Sequence, residues 1–109
     1  MNIQLVYMTF GNLEEARAAA RCLVEARLAA CANIFENMNS IYMWDGRLQD
    51  EREVVVIAKT LGSRVPQLIE AVRQRHGYEV PCIVTLPVSG GHQPFLDWIA
   101  AETRPLPPA

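Results

Sequence analysis

Hydrophobic and polar positions divide the chain into alternating strand-like and helix-like segments. The apolar run 3–10 (IQLVYMTF) is rich in strand formers, and Gly11 and Asn12 interrupt it. Asn12 is a favoured helix N-cap residue, and Glu15 three positions later completes the spacing of a capping box. Apolar side chains then recur at helical spacing. This predicts an amphipathic helix over 13–28, with an apolar face formed by Leu13, Ala16, Ala20, Leu23 and Val24.

The next segments predict a strand, a hairpin and another strand. Residues 31–36 (CANIFE) are predicted as the second strand, and extended structure continues over 40–44. Asp45-Gly46 is a strong two-residue hairpin signal. The run 53–60 (EVVVIAKT) is predicted as the third strand.

A second helix and a fourth strand follow. Ser63 is the predicted N-cap of this helix, and Pro66 is tolerated in its first turn, where backbone donors lack partners. The strand 82–88 comes next, and Pro94 begins a short helix that carries Phe95, Trp98 and Ile99. One face of the second helix is formed by Val65, Leu68, Ile69, Val72 and His76.

A short internal repeat supports one particular topology. TFGN at 9–12 is similar to TLGS at 60–63, and the order strand–helix–strand repeats with it. Two such crossover units predict an α+β, ferredoxin-like fold (β-α-β-β-α-β, an antiparallel sheet with two helices on one face) plus a short C-terminal helix. We predict a single domain over 1–104, followed by a Pro-rich tail over 105–109.

The predicted strands are apolar on both faces. Val54 and Val56 alternate with Val55 and Ile57, although a sheet with one open face should alternate apolar and polar side chains. Each buried branched side chain contributes about 1.5–3 kcal/mol, so leaving half a dozen in water forfeits on the order of 10 kcal/mol. Two helices cover one face only. The other face requires a cover, either another copy of the chain or the tail and loops of the same chain.

Composition excludes several classes of function. The net charge is −2 and the basic residues are scattered, so we expect no nucleic-acid partner. No apolar run is long enough for a membrane span, and the N-terminal segment lacks the features of a signal peptide. We therefore expect a cytoplasmic protein. The three cysteines, an odd number without a CxxC motif, are expected to be free thiols.

Six segments of the chain form a recognisable set: AACAN (29–33), SIYMWDGRL (40–48), EVVVIAKT (53–60), HGYEVPCI (76–83), LPVSGG (86–91) and FLDWI (95–99). Together they resemble the CutA divalent-cation-tolerance family, and the match runs from about residue 3 to residue 103. The resemblance implies a ferredoxin-like fold, a tight homotrimer with its sheets packed around a threefold axis, and a kinship with the PII signalling proteins. It also implies a role in tolerance of copper and other divalent metals.

The sequence also departs from that family. Gly77 stands where many members have proline, and Cys82 where the residue after Pro81 is usually acidic. Some metal-binding members carry a cysteine on the first strand and paired histidines before the tyrosine. Met8 and the pair Arg75-His76 occupy those positions here, so one thioether and one imidazole remain of that set.

His76 has two interpretations. It lies in phase with Leu68 and Val72 in the last turn of the second helix, where a side chain able to carry positive charge is favoured by the helix dipole. Gly77 would then provide the left-handed C-cap. Alternatively, His76 is a metal ligand, because imidazole binds copper and zinc. No obligatory cofactor is expected, and Cu(II) or another divalent metal is the candidate ion.

A ligand pocket is predicted at a subunit boundary, lined by Trp44, Lys59, Tyr78 and Glu79. Lys59, the only lysine, either extends to water from the end of its strand or pairs with a carboxylate such as Glu79 or Asp45. Tyr78 and Trp44 would supply flat walls with polar tips.

The sequence predicts binding rather than catalysis. It contains no recognisable catalytic or phosphate-binding motif, so we expect no enzymatic activity. The leading hypothesis is a trimeric divalent-cation (copper) tolerance protein that acts by binding. The alternative is a PII-like signalling or scaffold trimer that senses a small molecule.

Overall fold

The computed structural model describes residues 2–106, and this part of the chain forms one antiparallel sheet with three helices. Residues 107–109 of the predicted Pro-rich tail lie outside the described residues. The sheet order is β2-β3-β1-β4, which confirms the predicted ferredoxin-like fold. A 3₁₀ turn over Gly62–Arg64 precedes α2. The elements are β1 (Ile3–Phe10), α1 (Leu13–Glu25), β2 (Cys31–Trp44), β3 (Arg47–Leu61), α2 (Val65–Arg75), β4 (Ile83–Pro87) and α3 (Gln93–Thr103).

The main core lies between one face of the sheet and the helices α1 and α2. Alternate residues of β1 and β3 point to this face, as the two-residue period of a strand requires. The buried residues of this core cluster are at most 8% exposed, so this layer supplies most of the hydrophobic stabilisation. The buried cluster includes Val6, Met8, Phe10, Ala16, Leu23, Val54, Val56, Leu68 and Val72.

The opposite face of the sheet is also apolar but is only partly covered. Residues paired across strands share a face, and Tyr7 pairs with both Ile57 and Val84. α3 covers one end of this face, where Ile99 packs with Ile3. The predicted two-sided apolar strands are confirmed, and we call this surface of β1–β4 the open face.

The hairpin formed by β2 and β3 is longer than the sequence predicts. Its turn is the expected one: Asp45 and Gly46 adopt positive φ angles of 52° and 74°, as a type I′ turn requires. However, β3 begins at Arg47 rather than at residue 53, because the polar segment before Glu53 pairs with β2 as far as Trp44. Nothing in that polar segment marks it as a strand.

The strand β2 is continuous through a segment that the sequence leaves between two strand predictions. Pairing with β3 is irregular between Phe35 and Met38, and Asn37 has a φ of 61°. This bulge-like irregularity separates the part of the hairpin that lies in the sheet from the part that projects beyond it. We call the projecting part, residues 38–53, the hairpin arm.

The first helix begins as predicted and ends early. The Asn12 side chain accepts a hydrogen bond from the Glu15 backbone N–H at 2.8 Å, which confirms the N-cap. α1 ends at Glu25 rather than at residue 28, since Arg27 has a φ of 60° and the chain turns there. Val24 lies beside Ala20, Ala32 and Ile34 and is 40% exposed, so the apolar face of α1 is only partly covered there.

The predicted cap of the second helix was also wrong. Gly62–Arg64 forms the 3₁₀ turn, and α2 follows from Val65 with Arg64 at the N-cap position. Ser63 lies inside that turn, and no side chain caps the helix. Pro66 does occupy the first turn of α2, where its missing N–H costs no hydrogen bond.

Candidate ligand cavity

A cavity of about 670 Å³ lies between the hairpin arm and the loop 77–82 that leads to β4. Its volume is in the range of small-molecule sites. Its lining comes from β1, from both strands of the arm and from the loop: Tyr7, Thr9, Met38, Ser40, Tyr42, Trp44, Gln49, Glu51, Glu53, Gly77, Tyr78, Glu79, Val80 and Cys82.

Strand alternation places the arm residues on the cavity wall. Ser40 pairs with Glu51 and Tyr42 pairs with Gln49, so these side chains lie on the same face of the arm. Ile41 and Met43 alternate with them and lie on the other face. The cavity therefore depends on the register of the hairpin that the Asp45-Gly46 turn sets.

His76 anchors the loop that forms the second wall. Its side chain is buried and its ring stacks on Phe10 at a centroid distance of 4.6 Å. The Tyr78 backbone N–H donates to His76 Nδ1 at 3.0 Å. Because Nδ1 is the acceptor, Nε2 carries the proton and donates to the Thr9 carbonyl at 2.7 Å. Both ring nitrogens are thus engaged in holding the loop.

Glu15 provides a second anchor for the same loop. Its Oε1 accepts a hydrogen bond from the Gly77 backbone N–H at 2.6 Å. The Glu15 carboxylate therefore binds the loop across the fold. Gly77 is not among the residues with positive φ, and α2 ends at Arg75 with His76 in an extended conformation. The predicted left-handed cap at Gly77 was wrong.

The loop positions Tyr78 over a buried carboxylate. Glu53 is only 7% exposed, and its Oε2 accepts a hydrogen bond from the Tyr78 hydroxyl at 2.9 Å. Burial, and then the hydrogen bond to Glu53, raise the pKa of Tyr78 well above its usual range. Gly11 allows this packing, because a Cβ there would lie 3.3 Å from the Tyr78 hydroxyl oxygen.

The cavity is acidic. Glu51, Glu53 and Glu79 line it, and its described lining contains no lysine, arginine or histidine. Tyr42 forms a second phenol–carboxylate pair, donating to Glu51 Oε2 at 3.2 Å. Carboxylates in a partly desolvated cleft create a negative potential that attracts cations.

Lys59 lies elsewhere, although the sequence predicts it in the pocket. Its ammonium group donates to Asn33 Oδ1 and lies 3.6 Å from Cys31 Sγ. It pairs with Leu5 and Cys31, toward the opposite end of β3 from the arm, and it is not part of the cavity lining. Neither Glu79 nor Asp45 of the same chain is its hydrogen-bond partner. Within one chain, Trp44, Tyr78 and Glu79 line the cavity and Lys59 lies outside it.

Within residues 2–106 no group of three or more His, Cys, Asp and Glu side chains is arranged to hold a metal ion. His92 is exposed at the start of α3, and Cys22, Cys31 and Cys82 are free and partly buried. A metal ion at His76 would have to displace the Tyr78 amide from Nδ1 or the Thr9 carbonyl from Nε2. Within the same range no helix is long and apolar enough to cross a membrane.

Sequence reasoning missed the acidic wall of the cavity. Tyr42, Glu51 and Glu53 were not predicted as site residues, although a signal for them exists. Counting outward from the Asp45-Gly46 turn pairs Trp44 with Arg47 and Tyr42 with Gln49. Continuing this pairing along the polar residues before Glu53 would have placed Glu51 and Glu53 on the same face as Tyr42.

Fold and site together define a protein of the ferredoxin-like class, with a cavity beside an extended hairpin. The sequence model of the family described as "CutA1 divalent ion tolerance protein" matches residues 4–102. The chain therefore belongs to the CutA1 divalent ion tolerance protein family.

Individual relatives agree with this membership. "Protein CutA" of Mus musculus is 41% identical over 103 residues, which cover 94% of this chain and 58% of the relative, so the chain spans little more than half of that protein. The "Divalent-cation tolerance protein CutA" of Thermus thermophilus is 41% identical over 100 residues, which cover 92% of this chain and 97% of the relative. The solved "Divalent cation tolerance protein (Cut A1)" from the same organism superposes with a TM-score of 0.91 at 40% identity, covering 94% of this chain and 99% of that one.

Proposed function

We propose that this protein acts in divalent-cation tolerance as a cytoplasmic homotrimer that binds its ligand and does not transform it. The observation that carries the proposal is the family match over residues 4–102. The family and the Thermus thermophilus relative are named for divalent-ion or divalent-cation tolerance, which supports this function over the alternative of a PII-like signalling trimer that senses a small molecule.

The open face supports assembly from copies of the chain. Phe35 is 53% exposed, Val84 is 51% exposed and Leu86 is 49% exposed, and all three lie on this face. Complete burial of such a side chain contributes about 1.5–3 kcal/mol, so covering the remaining half contributes about 1 kcal/mol each. A contiguous apolar surface of this kind is typical of a protein–protein interface.

The hairpin arm supports the same conclusion. On its face away from the cavity, Ile41, Met43 and Leu48 are 65%, 62% and 69% exposed. A two-stranded arm that projects from its own core is marginally stable without a partner. A neighbouring subunit that covers this face would stabilise the arm and place the cavity near the subunit boundary.

The same valine-to-glutamate change, made once on the sheet and once on a helix, tests the trimer. Val84 lies on the open face, whereas Val24 is similarly exposed on α1. Light scattering at micromolar concentration should give three times the 12.2 kDa chain mass for the wild type and for Val24→Glu. Val84→Glu should reduce the mass, because it introduces three carboxylates into the interface. A wild-type mass of one chain would contradict the trimer.

Metal binding by the assembled protein is the second element of the proposal. We propose that Cu(II) or another divalent ion is drawn to the acidic cavity, where ligands from neighbouring subunits would complete its coordination, since carboxylates bind divalent cations. Loss of the exposed Glu79 carboxylate should weaken Cu(II) binding about tenfold. Glu25 is equally charged and lies on α1 outside the cavity.

Calorimetric titration of Cu(II), with the thiols blocked, tests the metal site. Glu79→Gln should weaken binding, and Glu25→Gln should leave it unchanged. His76→Ala tests the predicted imidazole ligand in the same series. Equal affinity in His76→Ala would remove His76 from the metal site, and equal affinity in Glu79→Gln would remove the cavity from it.

A further inference from the structure

We infer that the cavity between the hairpin arm and loop 77–82 binds a small organic ammonium ion. This inference rests on the proposal that the cavity binds cations, and its test uses no metal ion. It follows from the charge of the lining, from the direction of its hydrogen bonds and from its aromatic walls.

The charge of the lining selects a cation. Glu51, Glu53 and Glu79 contribute three carboxylates to the cavity, and no basic side chain in its described lining neutralises them. Of the three, Glu53 has the greatest need for a hydrogen-bond donor or a cation, because only 7% of it is exposed to water. An ionised carboxylate accepts about four hydrogen bonds, and the Tyr78 hydroxyl supplies one of them.

The hydrogen-bond directions select a ligand that donates. The Tyr78 hydroxyl donates a hydrogen bond to Glu53, and the Tyr42 hydroxyl donates one to Glu51. Each phenol therefore has only acceptor capacity left for a ligand. The two phenol oxygens and the neighbouring carboxylates therefore offer acceptors to a ligand. An ammonium group with N–H donors complements them.

The aromatic walls distinguish an organic cation from a bare metal ion. Tyr42, Trp44 and Tyr78 line the same cavity as the carboxylates. Aromatic faces attract ammonium ions, by about 0.5–2 kcal/mol each. A bare metal ion makes no use of such faces, whereas an organic ammonium ion can pack against them. The cavity volume of about 670 Å³ also suits a ligand of several heavy atoms.

The test compares a charged ligand with its neutral isostere. Choline and 3,3-dimethylbutan-1-ol have the same shape, but only choline carries a positive charge. Titration of the wild-type protein at low ionic strength, followed by calorimetry or NMR, should show choline binding at least tenfold more tightly than the alcohol. Butane-1,4-diamine is added as a primary ammonium probe. Tighter binding of the diamine would assign the main contribution to hydrogen bonds, and tighter binding of choline would assign it to the aromatic faces; both support the inference.

Variants locate the binding in the cavity. Glu51→Gln and Glu79→Gln alter exposed carboxylates, so the fold should be retained, and each should weaken cation binding at least threefold. Glu25→Gln, outside the cavity, should leave binding unchanged. The inference is overturned if neither choline nor the diamine binds more tightly than the alcohol, or if the cavity variants behave like Glu25→Gln. Retained Cu(II) binding alongside any of these results would leave the metal proposal standing and reject the organic cation alone.

Discussion

Removing one hydroxyl group from Tyr78 should destabilise the fold measurably. In Tyr78→Phe the ring remains, and only the donor to Glu53 is lost. Glu53 is 7% exposed, so water has little access to replace the 2.9 Å hydrogen bond. Hydrogen bonds to charged groups contribute about 1.5–3 kcal/mol, and the partial exposure of Tyr78 places the expected loss near 1.5 kcal/mol.

Tyr42 provides a matched control within the same cavity. Tyr42→Phe removes the same group from the same kind of pair, but Glu51 is exposed and the distance is 3.2 Å. Water can solvate Glu51 once the phenol is gone, so we expect no measurable loss of stability. Both variants lose one tyrosine hydroxyl, and they differ in whether the carboxylate left behind is buried (Glu53) or exposed (Glu51).

Guanidinium unfolding followed by circular dichroism measures both variants. Protein concentrations must be equal, because assembly into the proposed trimer would make the stability depend on concentration. The double variant Tyr78→Phe/Glu53→Gln completes a cycle and should recover part of the loss, since the unpaired group is then neutral. Equal stabilities of Tyr78→Phe and Tyr42→Phe would refute the argument that a buried carboxylate makes this hydrogen bond important.

Three further results are expected. The stability advantage of the wild type over Tyr78→Phe should be constant below pH 10, the usual pKa of tyrosine, and should shrink above it. The reason is that the pKa of Tyr78 is raised in the folded state, and the stability that this contributes is lost as the pH rises. Unfolding measured across alkaline pH checks this prediction. Gly46→Ala should cost about 1 kcal/mol in guanidinium unfolding, because φ is 74° there while no atom obstructs a Cβ. Arg27→Ala should cost about 1–3 kcal/mol by the same assay, since its guanidinium donates to the Ala101 and Arg104 carbonyls of the α3 C-terminus, at 2.7 and 3.1 Å. Arg21→Ala, which loses only an exposed ion pair, should change stability little.

The parts of the fold that are governed by local patterns could be predicted from the sequence. The apolar run of β1 and the Asp45-Gly46 turn correspond closely to the observed elements. The Asn12 cap was also predictable, because its hydrogen bond is made within one helical turn. These features depend on residues that are neighbours in the chain, so a pattern in the sequence contains them.

Features that depend on distant residues could not be predicted in the same way. Glu15 has the spacing of a capping box, yet its carboxylate binds the Gly77 amide 62 residues away in the sequence. Lys59 shares its strand with the cavity residue Glu53, but the length of β3 separates their environments. The sequence carries the chemistry of these side chains, whereas only the tertiary structure determines which partner each one meets.

The length of the hairpin arm has a consequence for how proteins of this type can vary. The cavity wall uses every second residue on each strand, and the Asp45-Gly46 turn fixes which residues those are. Deleting one residue from either strand would turn Tyr42 or Glu51 outward and bring Ile41 or Asp50 inward. Changes in arm length that keep the pocket must therefore remove or add residues two per strand. Insertions and deletions in the arm are limited to these steps, whereas those in ordinary surface loops are not.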